Sequence, residues 1–298
     1  MESFKQLEEQ IKTISEPKKV AVINAASDHA LDGVFELAKK KMVIPYLLDD
    51  ETKINEMLAD RDLGDTDYHV VPVHSDEESA FKGIELVREG KVDFIMKGNI
   101  QTGTLLKQVV NRETGIRDRD VLSHLALIEV PKYPKLLGVT DGGMLLAPDA
   151  DQKEAVIENA LEVMKALDYD QPKFAILSAS ESVQPKLQAS VDGKELTERF
   201  ENRDDCIVEG PISLDLSISP KTAEAKGYEG NIQGDADVLV AADVIGGNTL
   251  SKSMLLLADG TMAGVILGAK APIVLTSRSS SADEIRQSLL VAIKASEM

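Results

Sequence analysis

Tryptophan is absent from this sequence, cysteine occurs once, and aromatic residues make up only 4% of it. A lone Cys206 excludes an internal disulfide and fits a reducing cytoplasm. Basic residues are scarce as well: 33 Lys and Arg face 51 Asp and Glu, for a formal net charge of −18. A chain this acidic, with so few rings to stack on, is not built to hold nucleic acid. No apolar run is long enough to span a bilayer. The opening Met1-Glu-Ser-Phe-Lys-Gln-Leu-Glu-Glu9 is acidic and amphipathic, which is not the pattern of a signal peptide. The acidic balance supports solubility, and any anionic ligand must be drawn by a local field.

Several catalytic signatures are missing too. There is no Walker-type Gly-Lys-Ser/Thr loop, and the loop after the first apolar run reads Asn24-Ala-Ala-Ser-Asp28 instead of a glycine-rich dinucleotide fingerprint. His29, His69, His74 and His124 show no metal-ligand pairing, so no metal site is expected. No Gly-x-Ser-x-Gly elbow occurs. Cys206 is followed by Ile207 and Val208, which reads as a buried strand thiol more readily than as a nucleophile.

What is present is alternation. Short apolar runs at 19–23, 43–48, 68–73, 92–96, 125–130, 136–139, 174–178, 207–208, 238–241, 265–267 and 273–275 are separated by helical stretches. Most runs are continuous, as expected of strands covered on both faces. The stretch 151–167 carries Val156, Ala160, Val163, Met164 and Leu167 on one helical stripe. The last helix opens with Ser281-Ala-Asp-Glu284, a capping box, and should bury Ile285, Leu289, Ala292 and Ile293. The pattern predicts an α/β protein with mainly parallel sheets. Pro131-Lys-Tyr-Pro134 and Thr140-Asp-Gly-Gly143 are the best candidates for a crossing between domains.

Against the acidic background, Lys97, Lys107, Lys252 and Arg278 sit among hydrogen-bonding residues after strand-like runs. Loops at strand ends are where α/β sheets bind ligands, and cations there point to an anion such as phosphate. In Met96-Lys-Gly-Asn-Ile-Gln-Thr-Gly-Thr-Leu-Leu-Lys107, Thr102 or Thr104 can cap the next helix, with Asn99 in the loop and Lys107 near the first turn. A capped helix with a solvated lysine is an equal reading. Asp215, Asp235 and Asp237 offer contacts or ordinary turn chemistry. In Gly246-Gly-Asn-Thr-Leu-Ser-Lys252, Asn248 can cap a helix and the glycines admit a ligand. Ser277 and Arg278 pair a hydroxyl with a planar fork suited to phosphate.

Those segments, in that order, resemble the phosphate acetyl/butyryltransferase family, on the butyryl side. The resemblance is carried by MKGNIQTGTLLK (96–107), LSHLALIEVPKYPKLLGVTDGGMLLAPD (122–149), EGPISLD (209–215), GNIQGDADVLV (230–240), GGNTLSKS (246–253) and PIVLTSR (272–278). It implies two doubly wound, mainly parallel α/β domains, 1–135 plus 264–298 and 136–263, with an active-site cleft between them. It also implies acyl exchange between coenzyme A and phosphate in a cytoplasmic homodimer or larger homo-oligomer of short-chain fatty acid metabolism. Coenzyme A is then a substrate, and no metal or other cofactor is needed. Ser277 and Arg278 fall on the family's serine and phosphate-clamping arginine. Lys107 stands where many acetyl-specific members have arginine, keeping the charge without the bidentate fork. The family's catalytic aspartate falls near Glu284, with Asp283 adjacent, and the base lies between these two. Thr102, Asn99, Asn248, Lys252 and Asp215 are the accompanying substrate contacts. The alternatives are a phosphate acetyltransferase, a two-domain decarboxylating dehydrogenase and a non-catalytic coenzyme A-binding protein.

Overall fold

The structure, a computed structural model, describes residues 1–275 and 280–297. It divides into two compact units. The first comprises Phe4–Leu122 with the stretch from Ala263 onward, and the second comprises Met1–Ser3 with Ser123–Met262.

The first unit runs α1 (Phe4–Ile11), β1 (Lys18–Ile23), α2 (Asp28–Lys39), β2 (Val43–Asp49), α3 (Glu51–Ala59), β3 (His69–Pro72), α4 (Asp76–Arg88), β4 (Phe94–Lys97) and α5 (Thr102–Val109). The second holds β5 (Ser123–Glu129), β6 (Leu137–Thr140), α6 (Ala150–Ala166), β7 (Lys173–Leu177), α7 (Gln188–Phe200), β8 (Ile207–Ile212), α8 (Leu214–Ile218), α9 (Pro220–Lys226), β9 (Val238–Val240) and α10 (Val244–Leu257). The chain then returns through β10 (Thr261–Leu267), β11 (Ile273–Val274) and α11 (Ala282–Ala295).

In the first unit the strand order is β3-β2-β1-β4-β11-β10, parallel except for β10. The helix α2 packs with α11, and α11 with α1, while α4 and α5 pack together. Gly33 lets α2 approach closely, since a Cβ there would lie 2.5 Å from Ile285 Cγ2 on α11. Ile285, Leu289, Ala292 and Ile293 are all buried, as their spacing predicts.

In the second unit the order is β5-β6-β9-β7-β8, parallel except for β5. Alternation sorts its core into two faces. Ala126, Ile128, Leu137, Val139, Ala175, Leu239 and Ile212 pack with Leu216 of α8, Ala223 of α9 and Met254 of α10. Asn159 of α6 donates to the Ser123 hydroxyl at 2.9 Å, and Ser123 shares the other face with Leu125 and Leu127. The helix following β6 thus covers one face and the helix following β9 covers the opposite one.

The units part at 122/123 and 262/263, where the sequence had placed the crossings at 135/136 and 263/264. The reason lies in β5, which pairs antiparallel with β6 (Ala126↔Val139, Ile128↔Leu137). The proline-rich stretch 131–134 is therefore the turn of a hairpin inside the second unit.

Candidate active site

Neighbouring parallel strands whose chains leave toward opposite faces open a crevice at their carboxyl ends, the usual place for a ligand in an α/β sheet. Such pairs include β1 and β4 in the first unit, and β6 and β9 in the second.

At the first, Gly98 N–H donates to Ile23 O (2.8 Å) and Asn99 N–H to Asn24 O (2.9 Å), drawing the loop after β4 against the end of β1. A Cβ at Gly98 would lie 2.3 Å from Asn24 O, so only glycine fits. Lys97 is buried at the end of β4, with Nζ 3.3 Å from Gly98 O. Asn24 donates its backbone N–H to Ser79 Oγ at 3.0 Å and its amide to Asp76 at 2.5 Å, yet its Oδ1 is buried without a hydrogen-bond partner. The helix α5 begins at Thr102, and its N-cap is Gln101, which makes no side-chain cap bond. Neither Thr102 nor Thr104 caps it, because both already lie within the helix. Lys107 is exposed and sits in the last turn of α5 rather than the first. There it faces the negative end of the helix dipole, which favours a cation independently of any ligand.

Further along this unit, Ser277 and Arg278 lie outside the described residues. Glu284 forms the expected capping box: Ser281 N–H donates to Glu284 Oε2 at 3.0 Å, and Glu284 N–H to Ser281 Oγ at 3.2 Å. Asp283 is exposed, with Oδ1 3.6 Å from Arg286 Nε.

At the second crevice, the loop after β6 is organised around a buried carboxylate. Asp141 Oδ1 accepts from the N–H groups of Gly143 (2.6 Å) and Met144 (2.7 Å), and Oδ2 accepts from His124 N–H at 2.7 Å. Thr140 Oγ1 donates to His124 O at 2.9 Å. The helix α10 is capped by Asp243, whose side chain accepts from Gly246 N–H at 2.7 Å. Asn248 is therefore not the cap. It lies in the second turn, where its amide donates to Gly142 O at 3.3 Å. Gly247 meets protein, not ligand: a Cβ there would lie 2.5 Å from Asp141 O. Lys252 is exposed further along the helix.

Asp215 lies apart from these strand ends on α8, paired with Lys226 at 2.9 Å. The ammonium, with help from Ser213, draws its carboxyl down to about 2. Asp235 and Asp237 have structural partners: Asp237 accepts from Lys173 N–H at 2.8 Å, and Asp235 pairs with the Lys173 ammonium at 2.7 Å. No cluster of metal-binding side chains occurs among the described residues.

Residues 64–293 match the model of the Phosphate acetyl/butaryl transferase family. The chain is 36% identical over 288 residues to a probable phosphate butyryltransferase of Bacillus subtilis, covering 96% of this chain and 95% of that one. It is 31% identical over 294 residues to the phosphate butyryltransferase of Clostridium acetobutylicum, covering 98% and 97%. Among solved structures, a branched-chain phosphotransacylase from Enterococcus faecalis superposes with a TM-score of 0.83 at 33% identity, over 94% of this chain and 99% of that one. The chain belongs to this family of phosphate acyltransferases.

Proposed function

We propose that this phosphate acyltransferase acts on a four-carbon acyl group: butyryl-CoA and phosphate give butyryl phosphate and coenzyme A. The carrying observation is the near full-length likeness to two phosphate butyryltransferases. Residues of the first unit handle the phosphate. Arg278 clamps it, Ser277 adds a hydroxyl, and Lys107, Asn99 and Thr102 complete its surroundings. In the direction of acyl-CoA synthesis the thiol, with an ordinary pKa of about 8.5, loses its proton to Asp283 or Glu284. The sulfur attacks the carbonyl carbon, and the bond to the phosphate oxygen breaks. Coenzyme A is a substrate, and the exchange is written without metal or redox cofactor. In the second unit, Asn248, Lys252 and Asp215 are the candidate coenzyme A contacts. Asp215 is the weakest of them, because Lys226 already occupies it.

A cytoplasmic setting is supported by the single thiol. A homo-oligomer is supported by α10, which leaves Ile245, Leu256 and Leu257 at 73%, 78% and 84% exposure. Sedimentation tests the latter.

The decisive assay is phosphate-dependent thiol release over linear and branched acyl-CoAs from two to six carbons. The expected optimum is four carbons. A two-carbon optimum makes the protein a phosphate acetyltransferase, and absence of phosphate-dependent release removes the reading altogether. Separate Asp283→Asn and Glu284→Gln variants divide the two carboxylates, the base being the one whose loss lowers turnover.

A further inference from the structure

We propose that α10 is the surface on which a second copy of this chain docks, the two α10 helices packing antiparallel across a two-fold axis, with Ile245 on the partner's Leu256. The inference rests on the homo-oligomer reading and adds to it the surface, the symmetry and the pairing of residues.

Among the described residues, the four most exposed large apolar side chains are Leu146, Ile245, Leu256 and Leu257, at 73% to 84%, and no other exceeds 43%. Three of them belong to α10. Leu146 adjoins its first turn, where Val244 N–H donates to Leu146 O at 3.1 Å. Single apolar residues at a surface are ordinary, but four gathered about one helix mark an interface.

The helix is attached to its unit by a narrow face. Only Gly247, Ser251 and Met254 are buried, with Leu250 packed beside them. Helical spacing puts these residues on one side. With 3.6 residues per turn, Ile245, Thr249 and Leu256 fall on the opposite side, flanked by Lys252 and Ser253. A surface helix of a single chain turns its polar side to water. Here Ile245 and Leu256 are turned outward.

The layout of that face selects a second copy. Ile245 and Leu256 stand eleven residues apart, three turns or ~16 Å along the axis. The amino end therefore carries Ile245 with Leu146, the carboxyl end carries Leu256 with Leu257, and Thr249 and Ser253 lie between. A two-fold axis through the middle of α10 sets each apolar end on the opposite end of the partner, covering both at once. A two-fold contact must be self-complementary in this way, and the small Thr249 and Ser253 let the helices come close. Charge agrees. At a net −18, two copies repel over most of their surface, but α10 holds no carboxylate and one cation, Lys252. Eight large aliphatic side chains, four from each copy, then leave water, in keeping with the apolar cores of homodimer interfaces. Because α10 starts just past the carboxyl end of β9, the second copy borders that crevice.

The test combines sedimentation with crosslinking. The wild type should sediment as a dimer or a multiple of one. The double variant Leu256→Glu, Leu257→Glu should have at most half that mass, with its circular dichroism unchanged. In a separate pair, Ile245→Cys with Leu256→Cys should oxidise to a covalent dimer. Each cysteine variant alone should not, because its two copies of the new thiol lie ~16 Å apart in an antiparallel pair. The native Cys206 is buried and stays out of this reaction. The crosslink decides the matter should the charged variant fail to fold. Wild-type mass in the folded charged variant overturns the assignment of α10 alone. So does a double cysteine variant that gives no covalent dimer, and so do single variants that crosslink as readily as the pair, which would mean parallel helices. A monomeric wild type removes the homo-oligomer reading itself, and this surface with it, even where α10 then binds lipid vesicles.

Discussion

Around the carboxyl ends of β1 and β4 stand Asn24, Asn99, Lys97 and, bonded to Asn24, Asp76, whereas around the ends of β6 and β9 stand Asp141, Asp243 and His124. The two crevices arise from the same winding rule, yet their polar side chains differ. Topology sets where a ligand can approach, and side chains set which ligand is stable there.

The strongest way to break this contrast is at Arg278. Arg278→Ala should raise the phosphate KM and lower turnover, for a loss of about 1,000-fold in kcat/KM for phosphate. Steady-state kinetics with phosphate varied at saturating butyryl-CoA read it. Unaltered phosphate kinetics would show that the first unit does not read the anion through this residue.

Stability divides the units in a second way. In the second unit, Lys153 of α6 and Asp192 of α7 form a buried ion pair at 2.5 Å, with Gln188 also donating to Asp192 at 2.7 Å. In the first unit, Arg61 reaches Asp32 at 3.0 Å, with the carboxylate half exposed to solvent. Leaving one buried charge alone costs about 3–5 kcal/mol, while an exposed pair is worth ~0–1 kcal/mol. Urea unfolding should therefore show Asp192→Asn strongly destabilised and Asp32→Asn nearly unchanged. Equal costs would mean that the α6–α7 contact does not depend on its ion pair.

A smaller effect probes the crevices directly. Gly98 and Gly247 each sit against backbone, with an added methyl 2.3 Å from Asn24 O in one case and 2.5 Å from Asp141 O in the other. Alanine at either position should cost about 1–3 kcal/mol, because backbone gives way less easily than a side chain. The kinetic signatures should differ, with Gly98→Ala raising the phosphate KM and Gly247→Ala lowering kcat at an unchanged phosphate KM. Identical signatures would erase the functional distinction between the two strand ends.

Much of the scaffold was legible in the sequence because its strands are continuous apolar runs and α11 carries its own capping box. The caps of α5 and α10 were misread for one reason: residue type was weighed without position. Thr102, Thr104 and Asn248 are good capping residues, but Gln101 and Asp243 come first along the chain. The hairpin turn at 131–134 looked like a linker because proline marks both. His124 was set aside for want of a metal partner. The hydrogen bond from its backbone N–H to Asp141 joins residues apart in sequence, which no local pattern encodes.

The smallest expected effect lies away from both crevices. Cys206 immediately precedes β8, at the amino end of that strand, and is buried. Burial, assisted by the Asp205 carboxylate, pushes its thiol up to about 11. At pH 8 only about one molecule in 1,000 would carry the thiolate, too little for a nucleophile. Cys206→Ala should keep kcat within about twofold, and a disulfide reagent should modify the thiol in urea but not in the native protein. The linkage sign follows from the same shift. The unfolded thiol ionises near 9 while the folded one holds its proton to about 11, so this group's contribution to stability falls as pH rises between those values. The Cys206→Ala variant should lack that part of the alkaline loss. If instead its kinetics changed, chemistry would reach the amino end of β8, and the assignment of function to the carboxyl ends of the strands alone would fail.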